Sequence, residues 1–182
     1  MTHRVGVLIS GRGSNMQALV RGAGDAYRVV LAASDNPDAA GLAWAREHGI
    51  ATFAHDGKRA EREAAFDAAL TEAGVETIAL AGYMRLLSDG FVTRWRGRII
   101  NIHPSLLPKY KGLDTHARAI AAGDTEAGCS VHVVTEELDG GAVLGQARVP
   151  VLPGDTADTL AERVLAAEHS LYPKTLTEFV TR

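Results

Sequence analysis

RVGVLIS (Arg4–Ser10), cut off by Gly11-Arg12-Gly13 and followed by a helical run from about Asn15, is the stretch that decides the fold. A short apolar run without polar alternation describes a strand buried on both faces. A glycine turn leading straight into a helix makes that strand the opening of a βαβ unit.

The same rhythm continues outward along the chain. Tyr27–Ser34 (YRVVLAAS) is a second buried strand, closed by Asp35-Asn36-Pro37. Ala39–His48 is an alanine-rich helix with Gly49 in the C-cap position, and Ile50–Ala54 is a short strand. Arg59–Ala73 carries Ala65, Phe66, Ala69, Leu70 and Ala73 at spacings of three and four, the apolar side of a helix. Val75–Ala81 (VETIALA) and Arg98–His103 (RIINIH) supply two more strands. Strands alternating with helices predict a parallel sheet covered on both faces.

After His103 the rhythm changes. Cys129–Thr135 and Ala142–Val151 are strand-like, and only Glu136–Gly141 separates them, with Asp139-Gly140-Gly141 as a turn signal. That link is too short for a crossover and predicts an antiparallel hairpin. Thr156–Val180 closes the chain as a long helix, with Asp155 as its expected N-cap and Pro173 expected to kink or interrupt it. The expected architecture is one Rossmann-like α/β domain over residues 1–182: a mixed sheet, mainly parallel, with an antiparallel C-terminal hairpin and helices on both faces.

Composition narrows the function classes. With 182 residues and 46% hydrophobic content the chain can fill one core. A net charge of -3 offers no field for nucleic acid or a membrane surface, so neither is an expected partner. The single cysteine, Cys129, has no internal partner, which suits a reducing compartment. No run of about 18 apolar residues occurs, and Met1–Arg4 lacks a signal-peptide layout. A cytoplasmic location is expected.

Two segments carry chemistry. Ser10–Asn15 (SGRGSN) follows the first strand, at the carboxyl edge where open α/β sheets bind ligands. Its glycines allow close backbone approach, and the following helix offers free N–H groups to an anion. Gln17 and Ala18 stand where a dinucleotide fingerprint needs its last glycine, and the P-loop lysine is missing, so the loop suggests an anion site or a capped turn without naming a ligand. The second segment is Asn101–Gly112, NIHPSLLPKYKG. Asn101 and His103, two apart at a strand end, leave the same face of the sheet, and Pro104 stops the strand. An amide and an imidazole presented together can donate to an oxygen gaining negative charge; the same pair would also serve as a satisfied strand end.

NIHPSLLPKYKG closely resembles the signature of the folate-dependent formyltransferases, and within that family the branch acting on glycinamide ribonucleotide. The resemblance extends through VLISGRGSNMQAL, ASDNPDAAGLAWAREHGI, LAGYMRLLS, GCSVHVVTEELDGG and AEHSLYP, nearly the whole chain in order. It implies a formyl transfer from the co-substrate 10-formyltetrahydrofolate to the amine of glycinamide ribonucleotide, in purine synthesis, by a monomer or homodimer without a metal. Asn101, His103 and Asp139 match the catalytic set. Gly13, Ser14 and Asn15 match the phosphate loop, and Glu168 the ribose contact. Met84, Arg85, Leu86 and Leu87, Thr135, Glu136, Glu137 and Leu138, with Asn101 and Asp139, match the folate pocket. Arg62 is the candidate for the folate tail, although its spacing to Phe66 departs from the family by one residue. Lys111 and Asp114 fall where relatives vary.

These matches imply an oxyanion held by Asn101 and protonated His103, with Asp139 favouring the charged ring. Cys129, alternating with Val131 and Val133, is expected in the core. His132 leaves the opposite face, where it is either structural or near the site. The seven histidines show no metal-ligand spacing. The rivals are another formyl-folate formyltransferase or hydrolase, and a non-catalytic binding module. Methionyl-tRNA formyltransferases carry a further C-terminal domain and the hydrolases an N-terminal one, for neither of which this chain is expected to have room. A binding module should lack one of the three catalytic matches.

Overall fold

The computed structural model describes all residues, Met1–Arg182. Seven strands form one sheet in the order β3-β2-β1-β4-β5-β6-β7. They are β1 (His3–Ile9), β2 (Tyr27–Ser34), β3 (Ala51–Ala54), β4 (Thr77–Leu80), β5 (Ile99–His103), β6 (Glu126–Val133) and β7 (Val143–Pro150). The first five are parallel, and β6 and β7 run antiparallel, as the short link predicted. The helices are α1 (Ser14–Arg21), α2 (Ala40–Glu47), α3 (Arg59–Glu72), α4 (Asp89–Arg94), α5 (Thr115–Ala121) and α6 (Ala157–Val180). None is long and apolar enough to cross a membrane.

Strand alternation divides the core. Val5, Val7 and Ile9 of β1 pack with Met16, Leu19, Leu42, Leu160 and Tyr172, beneath α1, α2 and α6. Leu8 faces the other way, onto Phe66 and Leu70 of α3 and Phe91 of α4. Each such side chain contributes roughly 1.5–3 kcal/mol when buried, so a one-residue register slip would forfeit both layers at once. Gly6 belongs to the α3 face, where a Cβ would fall 2.5 Å from Leu70 Cδ2; the helix can lie this close only over a glycine.

Two expectations about α6 change. Its N-cap is Thr156, whose hydroxyl accepts from Thr159 N while Thr159 returns the bond to Thr156 N. Asp155 instead accepts from Leu152 N and pairs with Arg163. The helix also runs without a break through Pro173, which is buried. Tertiary packing compensates for the missing N–H: Tyr172, beside it, donates to Leu80 O at 2.9 Å and reaches Ile100 O at 3.3 Å, fastening α6 to β4 and β5. The short helices α4 and α5 were not expected, since six or seven residues complete too little of the helical period to be read.

Chain direction from β1 goes one way, to β2 and β3, and then back past β1 to β4 and β5. The crevice between β1 and β4 is therefore the topological switch point, where α/β sheets bind ligands.

Candidate active site

Asn101 and His103 leave β5 on one face, opposite Ile100 and Ile102, which are in the α6 layer. β6 pairs antiparallel with β5 so that Asn101 stands directly across from His132. Asn101 Nδ2 lies 3.3 Å from His132 Nε2. The other ring nitrogen, Nδ1, is 3.1 Å from Val133 O and donates to it, so Nε2 carries the lone pair that accepts from Asn101. Burial pushes the His132 pKa down, against the smaller opposing effects of the Val133 carbonyl and the Asp139 charge, which keeps the ring neutral and an acceptor.

Asp139 enters from the loop between β6 and β7. Its backbone is left-handed (φ 51°), a conformation that Asp and Asn tolerate better than most residues. Its carboxylate accepts from Gly112 N at 2.9 Å. Oδ2 lies 3.5 Å from His103 Nδ1, and Oδ1 lies 3.6 Å from His132 Nε2. Both separations are those of close charge-to-ring contacts, longer than an ordinary hydrogen bond. His103 Nε2 donates to Tyr110 O at 2.9 Å, so Nδ1 is the nitrogen turned toward the carboxylate. Side-chain exposures of 7% for His103, 3% for His132 and 8% for Asp139 place this charge in a poorly hydrated setting.

The Tyr110 carbonyl is itself held in place. Ser130 Oγ donates to Ser105 O and accepts from Leu107 N, while Gln146 Nε2 donates to Leu107 O and Ser105 Oγ to Lys109 O. Arg118 donates to Lys111 O and Leu113 O. The loop that follows His103 is thus pinned from β6, β7 and α5.

The loop after β1 has the features of an anion site. Gly13 adopts φ 70°, and a Cβ there would meet Met16 Cε at 3.0 Å and the Gly41 backbone at 3.3 Å. No side chain caps the start of α1, so its first-turn N–H groups are available to a ligand. Asn15 is buried, and its Nδ2 donates to Glu168 Oε2 at 3.0 Å. Asn15 Oδ1 has no partner although it is buried. Glu168 sits one turn before Tyr172 on α6, and burial raises its pKa despite the hydrogen bond from Asn15. A buried acceptor and a buried carboxyl thus meet beside the anion loop.

The segments expected to line a folate pocket differ among themselves. Met84, Leu86 and Leu138 are 70%, 67% and 52% exposed. Leu87 and Thr135 are half-buried. Arg85 turns back onto Asp35, Glu136 onto Arg96 and Thr93, and Glu137 onto Lys111. Arg62 is buried, donating to Gly57 O and Tyr83 Oη, so its guanidinium supports the loop rather than standing free at the surface. Cys129 is in the core as expected, and burial pushes its thiol up to about 12, with the Glu168 charge adding to the effect. His132 could not be assigned from sequence because its contact depends on the β5–β6 register. Tyr110 O and Gly112 N are backbone groups with no sequence signature.

A family model described as Formyl transferase matches residues 3–176. Phosphoribosylglycinamide formyltransferase of Escherichia coli is 45% identical over 184 residues, covering 95% of this chain and 85% of that protein. The trifunctional purine biosynthetic protein adenosine-3 of Drosophila melanogaster is 46% identical over 186 residues, but the chain spans only 14% of its length. The crystal structure of phosphoribosylglycinamide formyltransferase from Brucella melitensis superposes with a TM-score of 0.95 at 51% identity, covering 100% of this chain and 97% of that one. The chain belongs to the formyl transferase family.

Proposed function

We propose that this protein transfers the formyl group of 10-formyltetrahydrofolate to the amine of glycinamide ribonucleotide, giving N-formylglycinamide ribonucleotide and tetrahydrofolate in purine synthesis. The observation that carries this reading is the Asn101–His132–Asp139–His103 cluster, with both imidazoles buried, set at the same sheet edge as an uncapped anion loop. β1 and β5 stand two strand spacings apart, roughly 10 Å, which is the reach of a phosphorylated pentose with a short amide arm.

In this reading Ser14, Asn15 and the Gly13 backbone hold the phosphate, and Glu168 accepts from ribose hydroxyls. The exposed apolar side chains at Met84, Leu86 and Leu138 receive the folate, with neighbouring backbone groups giving specificity. Asn101 has one amide N–H engaged by His132, and its second N–H is aimed at the formyl oxygen. His103 donates from Nδ1, its Nε2–H staying on Tyr110 O. Together they stabilise the oxyanion formed when the acceptor amine attacks the formyl carbon. The amine must lose a proton and the folate N10 must gain one as the C–N10 bond breaks. Asp139, facing both imidazoles, takes up the amine proton while N10 gains its own as it leaves. No covalent enzyme intermediate is required, because fixing both substrates in line supplies much of the rate. A cytoplasmic site of action fits the lone buried thiol.

The direct test follows deformylation of 10-formyltetrahydrofolate by absorbance with and without glycinamide ribonucleotide. Acceptor-dependent turnover supports the reading; acceptor-independent release points to a hydrolase, and no release points to a binding module.

Two variants probe the acceptor side. Ser14→Ala should raise the acceptor KM by about tenfold, the worth of a hydrogen bond to a charged group, and leave the folate KM within twofold. Equal effects on both constants argue against a phosphate loop. Glu168→Gln should separate stability from binding. Its raised pKa means the folded state holds the proton more tightly than the unfolded chain does, so its stability contribution is present at low pH and lost as pH rises. The variant should therefore melt about 2 °C or more above the parent at pH 8, a gain that fades below about pH 4, where both states are protonated. Its acceptor KM should rise by about tenfold. A lower Tm at pH 8 would contradict the burial cost assigned to this carboxyl.

A further inference from the structure

The strongest feature outside the reacting groups is a buried carboxylate at the switch point. Asp35 stands just after β2, and its side chain is only 7% exposed. Oδ1 accepts from Ser10 Oγ at 2.7 Å, and Oδ2 accepts from Arg85 Nε at 2.8 Å. Ser10 Oγ in turn accepts from Met84 N at 2.8 Å. Burial alone would push this carboxyl up, but the hydrogen bonds from Ser10 and Arg85 hold it below the usual carboxylate range, so it is charged at neutral pH.

These bonds join three separate segments. Ser10 opens the anion loop, and Met84 and Arg85 begin the exposed segment after β4. Asp35 faces neither Asn101 nor Asp139 in any hydrogen bond of the structure, so it acts on chemistry only through the loops it ties.

We propose that Asp35 is a positioning residue that couples the two substrate subsites, so that binding of the phosphorylated acceptor tightens binding of the folate and the reverse. This rests on the assignment of loop 10–15 to the acceptor and of segment 84–87 to the folate. The physical basis is shared ordering: a ligand that immobilises one loop fixes Ser10, Asp35 and Arg85, and the second ligand then finds its own loop already ordered. Thermodynamic linkage requires the effect to be the same in both directions. Met84 N contributes a backbone donor that no substitution at position 84 other than proline removes. Ser10, Asp35 and Arg85 are the points at which side-chain change can cut the link.

The experiment is equilibrium titration of glycinamide ribonucleotide alone and with saturating tetrahydrofolate, the spent co-substrate that has no formyl group to transfer, and the reverse pair. The parent protein should show each ligand binding at least about fivefold tighter in the presence of the other. Asp35→Asn should bind each ligand singly, with the mutual enhancement falling below twofold. Arg85→Ala, at a side chain 59% exposed and so safe for folding, should give an intermediate enhancement. A merely structural role would weaken both single-ligand affinities and leave the ratio unchanged. The proposal is overturned if the parent shows no reciprocal enhancement, or if both variants keep the parental ratio. Should Asp35→Asn not fold, Arg85→Ala decides alone. Cooperative binding without formyl transfer would sink the proposed reaction and leave the coupling standing; transfer with independent binding would do the opposite. Failure to bind either ligand overturns both.

Discussion

Asn101→Ala should lower kcat by about 10²–10³-fold, with the acceptor KM changed much less. The loss of one preorganised oxyanion donor typically costs about 2.7–4 kcal/mol, and it is felt only once negative charge develops on the formyl oxygen. The structure adds a reason for the precision of this donor: His132 accepts one amide proton at 3.3 Å and so fixes the plane of the amide. Because His132 is neutral and buried, the variant also leaves its Nε2 lone pair without a partner, and a small loss of Tm should accompany the kinetic defect. Steady-state rates at saturating folate, with thermal melts beside them, check both parts. A fall confined to KM would assign Asn101 to ground-state binding instead.

Asp139→Asn should be comparably or more damaging, with kcat falling by about 10²–10⁴-fold, the usual span for a lost acid–base group. Asn suits the left-handed backbone at φ 51° and can still accept from Gly112 N, so the turn should survive and Tm should stay within about 2–4 °C. What disappears is the charge facing His103 Nδ1 at 3.5 Å and His132 Nε2 at 3.6 Å. Turnover within threefold of the parent would remove Asp139 from the mechanism.

Much of the framework was legible without coordinates. Buried-strand runs, glycine stops and one short hairpin link led to a parallel sheet with an antiparallel end, because hydrophobic period and connection length are local properties of the chain. The same local logic put Asn101 and His103 on one face, since a strand alternates with period two and Pro104 ends it. The N-cap of α6 was misread by one residue because Asp155 and Thr156 are both good caps; the choice turned on Arg163, eight residues away, which claims the carboxylate. Arg62 could be named as a candidate, but its direction depends on Gly57 O and Tyr83, and no spacing encodes that.

The sequence by itself determined the order of the strands and longer helices, the sheet edge proposed to carry the chemistry and the residue types gathered there. Each of these follows from neighbours a few positions apart. The tertiary structure alone decided that His132 orients Asn101, that Asp139 faces two imidazoles, that Glu168 meets Asn15 and that Asp35 ties Ser10 to Arg85. Those pairs join residues far apart in the chain, brought together by strand register and helix packing. Side-chain direction and desolvation, which set the charge of each group, exist only once the core has closed around them.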